Sequence, residues 1–260
     1  MRSPKKKRGV ILWLRPALFN KYRMVSMLRE TLIQKHPLSM LGGKEGDVLA
    51  PGEMGAILAR RGVGKTALLV QIAINAMLRE KNVLHVSLKE PVKKVMLWYE
   101  ELFLHLAKPY GKDVSRPLLE SILPHRFILT FRVEGLSIPR LEERINDLVV
   151  QGIFRPDLLI VDGLDFGENV RPTLEEMKTF ARDLRVGVWF SVPIHRHLED
   201  GRTGIPLPVL GMEDLFSRLF ILTSEGRGIR IKSLLPSPAD GADLILDPSS
   251  LLVNESRGVN

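Results

Sequence analysis

Cysteine is absent from the 260-residue chain, which excludes disulfide bonds, thiolate metal sites and a cysteine nucleophile. This composition fits a cytoplasmic protein. Long apolar runs are missing as well. No stretch approaches the ~18–20 uninterrupted apolar residues of a membrane span, so we expect no transmembrane segment. The apolar run at residues 10–14 is too short for a secretory signal, which needs roughly 7–15 apolar residues.

Positive charge is concentrated at the amino terminus. Residues 1–36 contain ten Lys and Arg and a single acid, Glu30, which gives a net charge of +9. The remaining residues carry 38 − 10 = 28 basic and 30 − 1 = 29 acidic side chains, a net charge of −1. The sequence therefore predicts a basic arm that meets nucleic acid, an anionic membrane face or an acidic partner. Within it, apolar residues at helical spacing predict a helix at residues 22–36 that ends before Pro37.

The segment ARRGVGKT at residues 59–66 has the spacing of a phosphate-binding P-loop, with Ala59 in place of the first glycine. An apolar strand-like run precedes it and an apolar helix-like run follows, which is the setting that this motif requires. We expect backbone N–H groups of the loop and the helix amino terminus to bind the phosphates of ATP. The predicted nucleotide-contacting residues are Arg61, Gly62, Val63, Gly64, Lys65, Thr66 and Ala67.

Magnesium is the second predicted component of this site. Lys65 is expected to reach the β- and γ-phosphates, and the Thr66 hydroxyl is expected to ligate Mg²⁺. The run PDLLIVD predicts a strand that is buried on both faces and ends in Asp162. Such a position lies at the carboxyl edge of a parallel sheet, so Asp162 is the candidate second Mg²⁺ ligand. Asp165, in the following loop, is a weaker candidate.

Hydrolysis also needs a carboxylate that orients or deprotonates the attacking water. Glu90 follows a predicted strand at residues 83–88 and is the candidate for this role. Lys65 and Glu90 are thus the predicted catalytic residues. The alternative is a solvated Glu90 at a strand–helix junction, or one that stabilises the start of the following helix.

Strand and helix patterns alternate through the middle of the chain, which predicts an α/β fold with a mostly parallel sheet covered by helices. The predicted strands are residues 54–59, 83–88, 126–131, 157–162 and 186–191. The predicted helices are residues 65–80, 92–107, 139–151 and 173–184.

A β-hairpin is predicted from residues 218–223 and 228–232. The Pro-, Gly-, Asp- and Ser-rich stretch from Pro236 predicts a loose carboxyl-terminal end. We therefore expect three parts: a basic arm with a helix, an ATP-binding domain and a tail. Their predicted bounds are residues 1–36, 37–235 and 236–260.

Three motifs, ARRGVGKTALLVQIA, VLHVSLKEP and PDLLIVD, occur in this order and resemble those of the RecA-like ATPases. The P-loop is similar to that of DnaB-type helicases, and residues 87–91 are similar to a Ser-x-Glu-Glu-Pro pattern of KaiC and RadA-type proteins. The resemblance covers residues 38–232 and implies an oligomeric ATPase that uses ATP and Mg²⁺. The chain departs from it at Lys89, the usual position of the catalytic carboxylate, and at Val192, where DnaB-type enzymes have Gln. Two interpretations of Lys89 are open: a second cation at the phosphates, or the partner of a nearby acid with no catalytic role.

The resemblance also implies functions for positively charged residues late in the chain. It implies that the loop after residue 195, which contains Arg196, His197 and Arg202, faces a central channel and contacts DNA. A solvated loop is the favoured alternative, because Glu199 and Asp200 dilute the positive charge. His195 and His197 have no third ligand nearby in the sequence, so a metal site is not expected there.

The predicted hairpin carries Arg227, Arg230 and Lys232. In oligomeric relatives this position supplies a cation to the γ-phosphate of a neighbouring subunit, and an exposed hairpin face is the alternative. Two functional classes remain open. The +9 arm favours a nucleic-acid-associated ATPase, whereas Lys89 and Val192 favour a nucleotide-regulated scaffold or signalling ATPase with a protein partner and little hydrolysis.

Overall fold

The computed structural model describes residues 15–40, 49–131, 137–167, 169–194, 205–226, 228–236 and 244–255. Within these ranges the strands are β1 (Met54–Ala59), β2 (Val83–Ser87), β3 (Arg126–Thr130), β4 (Leu158–Asp162), β5 (Gly187–Pro193), β6 (Arg218–Glu225), β7 (Gly228–Leu235), β8 (Leu244–Leu246) and β9 (Val253–Glu255). The α-helices are α1 (Arg15–Lys35), α2 (Lys65–Leu78), α3 (Val92–Ala107), α4 (Lys112–Ile122), α5 (Ile138–Val150) and α6 (Val170–Leu184).

The strands form one sheet in the order β3–β2–β4–β5–β1–β6–β7–β8–β9. Neighbouring strands from β3 to β6 pair in parallel, and β7, β8 and β9 are added antiparallel. The chain is therefore an α/β protein with a mostly parallel sheet, and the late hairpin is β6–β7, as the sequence predicts. Strand β5 lies between β4 and β1 and pairs in parallel with both. The carboxyl ends of these three strands therefore lie close together at the same edge of the sheet.

Helices cover both faces of the sheet. Helices α1, α2, α3 and α4 contribute buried side chains to the core on one face, and α5 and α6 contribute those on the other. The central strand β1 is buried along its whole length, and Leu158 to Val161 of β4 are buried as well. These continuous apolar runs are what a parallel strand with helices on both faces requires.

The predicted central strands and helices are present, with their ends moved by at most three residues. Helix α6 shows the largest shift, because it begins at Val170 instead of residue 173. Helix α4 was not predicted; it is short, contains Pro117, and buries Leu118 and Ile122 against the domain.

The amino-terminal helix α1 is longer than predicted and packs on the domain. Leu28 and Leu32 are 4% exposed, and Arg29 forms an ion pair with Glu80, just beyond the end of α2. The cations Lys21 and Arg23 remain exposed on this helix. Residues 1–14 of the predicted arm lie outside the described residues. In the described part of the chain, no helix combines the length and apolarity that a membrane crossing requires.

Strands β8 and β9 lie in the stretch that the sequence predicts to be a loose end. Leu244 and Leu246 are fully buried. The segment between the two strands is held to α2 by Gln71, whose side-chain amide donates to the Leu251 carbonyl at 2.8 Å and whose carbonyl accepts from Val253 N–H at 2.9 Å. Residues 244–255 are therefore part of the sheet and of its contacts with α2.

Candidate functional site

The candidate phosphate loop joins β1 to α2. Gly62 has φ of 84° and Gly64 has φ of 103°, a region that favours glycine. Gly64 also caps α2, and a Cβ on it would lie 2.5 Å from a methyl carbon of Leu246. The first N–H groups of α2 have no acceptor within the helix, as at any helix start. The loop therefore has a glycine-dependent turn directly before a helix amino terminus, the arrangement that the P-loop pattern predicts.

Lys65 folds back over this loop. Its Nζ donates to the carbonyl oxygens of Ala59 at 2.8 Å and Arg60 at 3.0 Å. Burial lowers the pKa of Lys65 to about 8; Asp162 opposes this shift, and Lys89 and Arg61 add to it. The ammonium group is thus partly removed from water and is surrounded by further positive charge.

Thr66 and Asp162, the two predicted Mg²⁺ ligands, lie next to one another. The Thr66 hydroxyl donates to Oδ2 of Asp162 at 2.9 Å. The Ser191 hydroxyl donates to Oδ1 of the same carboxylate and accepts from the Gly163 N–H at 2.9 Å. Side chains from α2, β4 and β5 thereby converge at the carboxyl edge of the sheet.

A hydroxyl and a carboxylate are the oxygen ligands that Mg²⁺ prefers, and Mg²⁺ keeps several ligands from water and phosphate. Thr66 and Asp162 fit such an ion. In the described ranges, no group of three or more His, Asp or Glu side chains is placed to hold a metal ion by itself. Asp165, the weaker candidate, is exposed three residues further on.

Ser191 was not predicted as a site residue. It belongs to β5, and Ile57 of β1 pairs with it in the sheet register. Its neighbour Val192 is fully buried in the core on the α5–α6 face, because successive side chains of a strand point to opposite faces. The signal for Ser191 was the single polar residue in the otherwise apolar end of β5.

Glu90, the predicted catalytic carboxylate, is held at the start of α3. Its N–H donates to the Ser87 hydroxyl at 3.1 Å, and that hydroxyl donates to the Glu90 carbonyl at 2.8 Å. Its carboxylate forms an ion pair with Lys94 at 2.9 Å. The contacts of Glu90 within the described chain therefore lead to Ser87 and Lys94, and its role in positioning water stays a prediction.

Lys89 lies closer to the Thr66–Asp162 pair. A Cβ on Gly163 would lie 3.0 Å from Cγ of Lys89, so the aliphatic part of Lys89 packs over the residue that follows Asp162. The Lys89 side chain is exposed, as is that of Arg61. Lys65 is thus within electrostatic reach of two further cations, Lys89 and Arg61, and of the Asp162 carboxylate.

The other candidate cations fall in two groups. Arg230 lies on β7 and forms an ion pair with Glu225 at 2.7 Å, and Lys232 is exposed two residues further along the strand. The remaining candidates lie outside the described residues: Arg196, His197, Arg202 and Arg227, together with His195.

No protein-family model matches the chain, and no curated protein sequence matches it.

Proposed function

We propose that this chain is a RecA-like P-loop ATPase that binds ATP and Mg²⁺ at the carboxyl edge of its parallel sheet and hydrolyses ATP slowly. The observation that carries the proposal is the 2.9 Å hydrogen bond from the Thr66 hydroxyl to Asp162. It joins the start of the helix after the glycine turn to the end of β4. The order of the three motifs, the parallel sheet and the late hairpin support the same assignment.

Each residue has a distinct role in this proposal. The backbone N–H groups of residues 62–66 and the Lys65 ammonium group bind phosphate oxygens. Thr66 and Asp162 would hold Mg²⁺, which would supply positive charge to neutralise the charge that develops on the phosphate oxygens. Ser191 fixes the rotamer of Asp162 through its hydrogen bond to Oδ1. Glu90 orients the attacking water once it is free of Lys94.

The partner class has two candidates. Association with nucleic acid is favoured by the +9 charge of residues 1–36, to which the exposed Lys21 and Arg23 of α1 contribute. A nucleotide-regulated scaffold with a protein partner is favoured by the ion pair that occupies Glu90. With either partner class we propose a homo-oligomer, in which Arg230 and Lys232 of β7 face the nucleotide of a neighbouring subunit.

The first experiment measures equilibrium binding of MgATP, followed by phosphate release with and without single-stranded DNA. We expect Lys65→Ala to weaken binding at least tenfold, since it removes a charged phosphate contact worth roughly 1.5–3 kcal/mol. Lys108→Ala, an exposed lysine at the far end of α3, is the matched control and should bind as the wild type does. Absence of MgATP binding by the wild-type protein would refute the proposal.

Phosphate release then separates the two partner classes. Turnover that depends on Lys65 and rises with DNA would identify a nucleic-acid ATPase. Binding without measurable turnover, with or without DNA, would identify a nucleotide-regulated scaffold and would remove Glu90 as an effective catalytic residue.

A further inference from the structure

We propose that Lys89 binds the terminal phosphate of a nucleoside triphosphate, so that the site distinguishes triphosphate from diphosphate and retains the former. The inference rests on the proposed nucleotide site and adds a specificity-determining residue to it. Lys89 stands where the resemblance to RecA-like ATPases implies a water-activating carboxylate. The substitution reverses the charge at that position, which changes the chemistry of the site from promoting water attack to binding an anion.

The backbone brings Lys89 to the end of β4. The Leu88 N–H donates to the Asp162 carbonyl at 2.9 Å, which continues the β2–β4 pairing beyond the last residue of β2. Gly163 has φ of 97°, and a Cβ there would lie 3.0 Å and 3.2 Å from Cγ and Cδ of Lys89. Glycine at position 163 therefore makes room for the aliphatic part of Lys89 directly beside Asp162.

The sheet order defines which part of the nucleotide this side chain approaches. The phosphate loop follows β1, and β5, β4 and β2 lie successively further away on the same side. Lys65 follows β1 at the start of α2, and Asp162 is the last residue of β4. Lys89 follows β2, which lies on the other side of β4 from β1. The N–H groups of a P-loop cradle the α- and β-phosphates, and its lysine reaches the β- and γ-phosphates. A cation that lies beyond Asp162, away from the loop, is therefore expected at the γ-phosphate.

The charges in the site leave Lys89 available for an anion. It makes no hydrogen bond or ion pair with any residue in the described ranges. Its charge acts on Lys65 and lowers the pKa of that lysine, which shows that the two cations lie within electrostatic reach. The charges that act on Lys65 are thus two cations, Lys89 and Arg61, and one carboxylate, Asp162. This excess of positive charge favours the ligand with the greater negative charge.

Glu90 does not compensate for the missing carboxylate at position 89 while it is paired with Lys94. Its Oε1 is 2.9 Å from Nζ of Lys94, one turn into α3. The carboxylate is thus directed along α3 instead of over β4. While Glu90 is paired with Lys94, a triphosphate held by Lys89 has no water-orienting carboxylate beside it, and we expect it to persist longer than one in a site that carries an acid at position 89.

The test measures the affinities of MgATP and MgADP by calorimetry for the full chain and for Lys89→Met, which keeps the aliphatic stem against Gly163. We expect Lys89→Met to weaken MgATP binding about tenfold or more, the factor for one charged phosphate contact, and MgADP binding by less than about threefold. Lys89→Glu should weaken MgATP binding further, because it adds repulsion. Lys93→Met, an exposed lysine at the start of α3, is the matched control and should change neither affinity.

The outcomes separate this inference from the proposed function. Equal losses for ATP and ADP in Lys89→Met, or no loss of either, would overturn the role of Lys89 while leaving MgATP binding intact. Failure of the wild type to bind either nucleotide would overturn the proposed function itself. Circular dichroism and thermal unfolding of Lys89→Met and Lys93→Met establish that each is folded, and a folded Lys89→Met with wild-type ATP preference counts against the inference.

Discussion

The Thr66 hydroxyl donates to the Asp162 carboxylate at 2.9 Å, a bond that connects the start of α2 with the end of β4 across the intervening strand β5. Ser191 donates to the other carboxylate oxygen, so the rotamer of Asp162 is fixed from both sides. In the proposed site, a metal ion would therefore have its hydroxyl and carboxylate ligands already adjacent, and little reorganisation would be needed on nucleotide binding.

The first prediction concerns Asp162→Asn. The amide keeps the size of the side chain but loses the charge that attracts Mg²⁺, so we expect the stimulation of ATP binding by Mg²⁺ to disappear. Binding of ATP without Mg²⁺ should stay the same or tighten, because the three nearby cations lose the counter-charge of Asp162. Titration of ATP with Mg²⁺ and with EDTA measures both effects. Asp165→Asn is the control and should keep the Mg²⁺ dependence; loss of that dependence in Asp165→Asn alone would reassign the ligand.

The second prediction uses the pKa of Lys65, which burial lowers to about 8. Phosphate binds the ammonium form, so the bound state has a higher pKa than the free state. Above pH 8 the free protein has lost this proton, and binding must take it up again. We therefore expect MgATP affinity to fall as pH rises from 8 towards 10, by at most tenfold per pH unit. Below pH 7 Lys65 is already protonated in the free protein, so its titration should not change the affinity there.

Calorimetry in two buffers of different ionisation enthalpy measures this proton uptake. More than half a proton should be taken up at pH 8.5 to 9 and almost none at pH 6.5. Lys65→Arg is the control, because a guanidinium group stays charged over this range and should abolish the uptake. A wild-type affinity that stays flat between pH 7.5 and 9.5 would contradict the prediction.

The third prediction separates two reasons for glycine in the phosphate loop. Gly62→Ala and Gly64→Ala both place a Cβ on a residue with positive φ, at a cost of roughly 1–2 kcal/mol in the free energy of unfolding. Only at Gly64 does the new Cβ also meet Leu246, at 2.5 Å; at Gly62 it meets no atom within 4 Å. Gly64→Ala should therefore destabilise the protein more than Gly62→Ala.

Urea unfolding of the two variants measures the difference, and Gly64→Ala with Leu246→Ala completes a double-mutant cycle. We expect the double variant to lose less stability than the sum of the single variants, because the smaller side chain removes the clash. Strict additivity would show that Leu246 does not press on the loop. This packing also couples β8 to the candidate site.

Local patterns predicted the parts of this molecule that local interactions form. The sequence predicted strand β1, the glycine turn and helix α2, because each of them depends mainly on residues that are neighbours in sequence. Helix α4 was missed because Pro117 interrupts an 11-residue helix with few apolar residues. Strands β8 and β9 were missed because each has three residues; β8 depends on pairing with β7 and β9 on pairing with β8, which no local pattern encodes.

The same distinction holds for the candidate site. Thr66 and Asp162 were predicted as partners because their motif positions imply the same sheet edge. The position of Ser191 depends on the register of β5, which only the folded sheet defines. For Lys89 the sequence left open a place at the phosphates or a pairing with a nearby acid, and the chain direction after β2 was needed to choose between them. In the structure, Ser191 is part of the candidate site, and the Glu90 carboxylate forms an ion pair with Lys94.

The fourth prediction tests Glu90 by phosphate release at saturating MgATP. If Glu90 orients water, Glu90→Gln should lower the rate on the order of 100-fold or more. Lys94→Met should raise it by up to about fivefold, since it removes an exposed ion pair that competes for the carboxylate. Lys93→Met is the control and should release phosphate at the wild-type rate. Equal rates for Glu90→Gln and wild type would exclude Glu90 from the reaction.

The fifth prediction concerns the basic arm, which must be tested without disturbing the fold. Deletion of residues 1–36 would remove Leu28 and Leu32, which pack in the core, so its effects would mix binding with stability. Deletion of residues 1–14 avoids this problem and removes five cations: Arg2, Lys5, Lys6, Lys7 and Arg8.

If the arm binds single-stranded DNA, this deletion should weaken binding and lower the slope of log affinity against log salt by up to about 3.5, which is about 0.7 for each phosphate that the arm no longer neutralises. MgATP affinity should not change, because the deleted residues precede α1 and the phosphate loop follows β1. Fluorescence anisotropy with a labelled oligonucleotide between roughly 50 and 200 mM salt, a range over which such binding responds strongly, measures the slope. An unchanged slope would assign the positive charge of residues 1–14 to a different partner and leave the nucleotide-regulated scaffold as the better account.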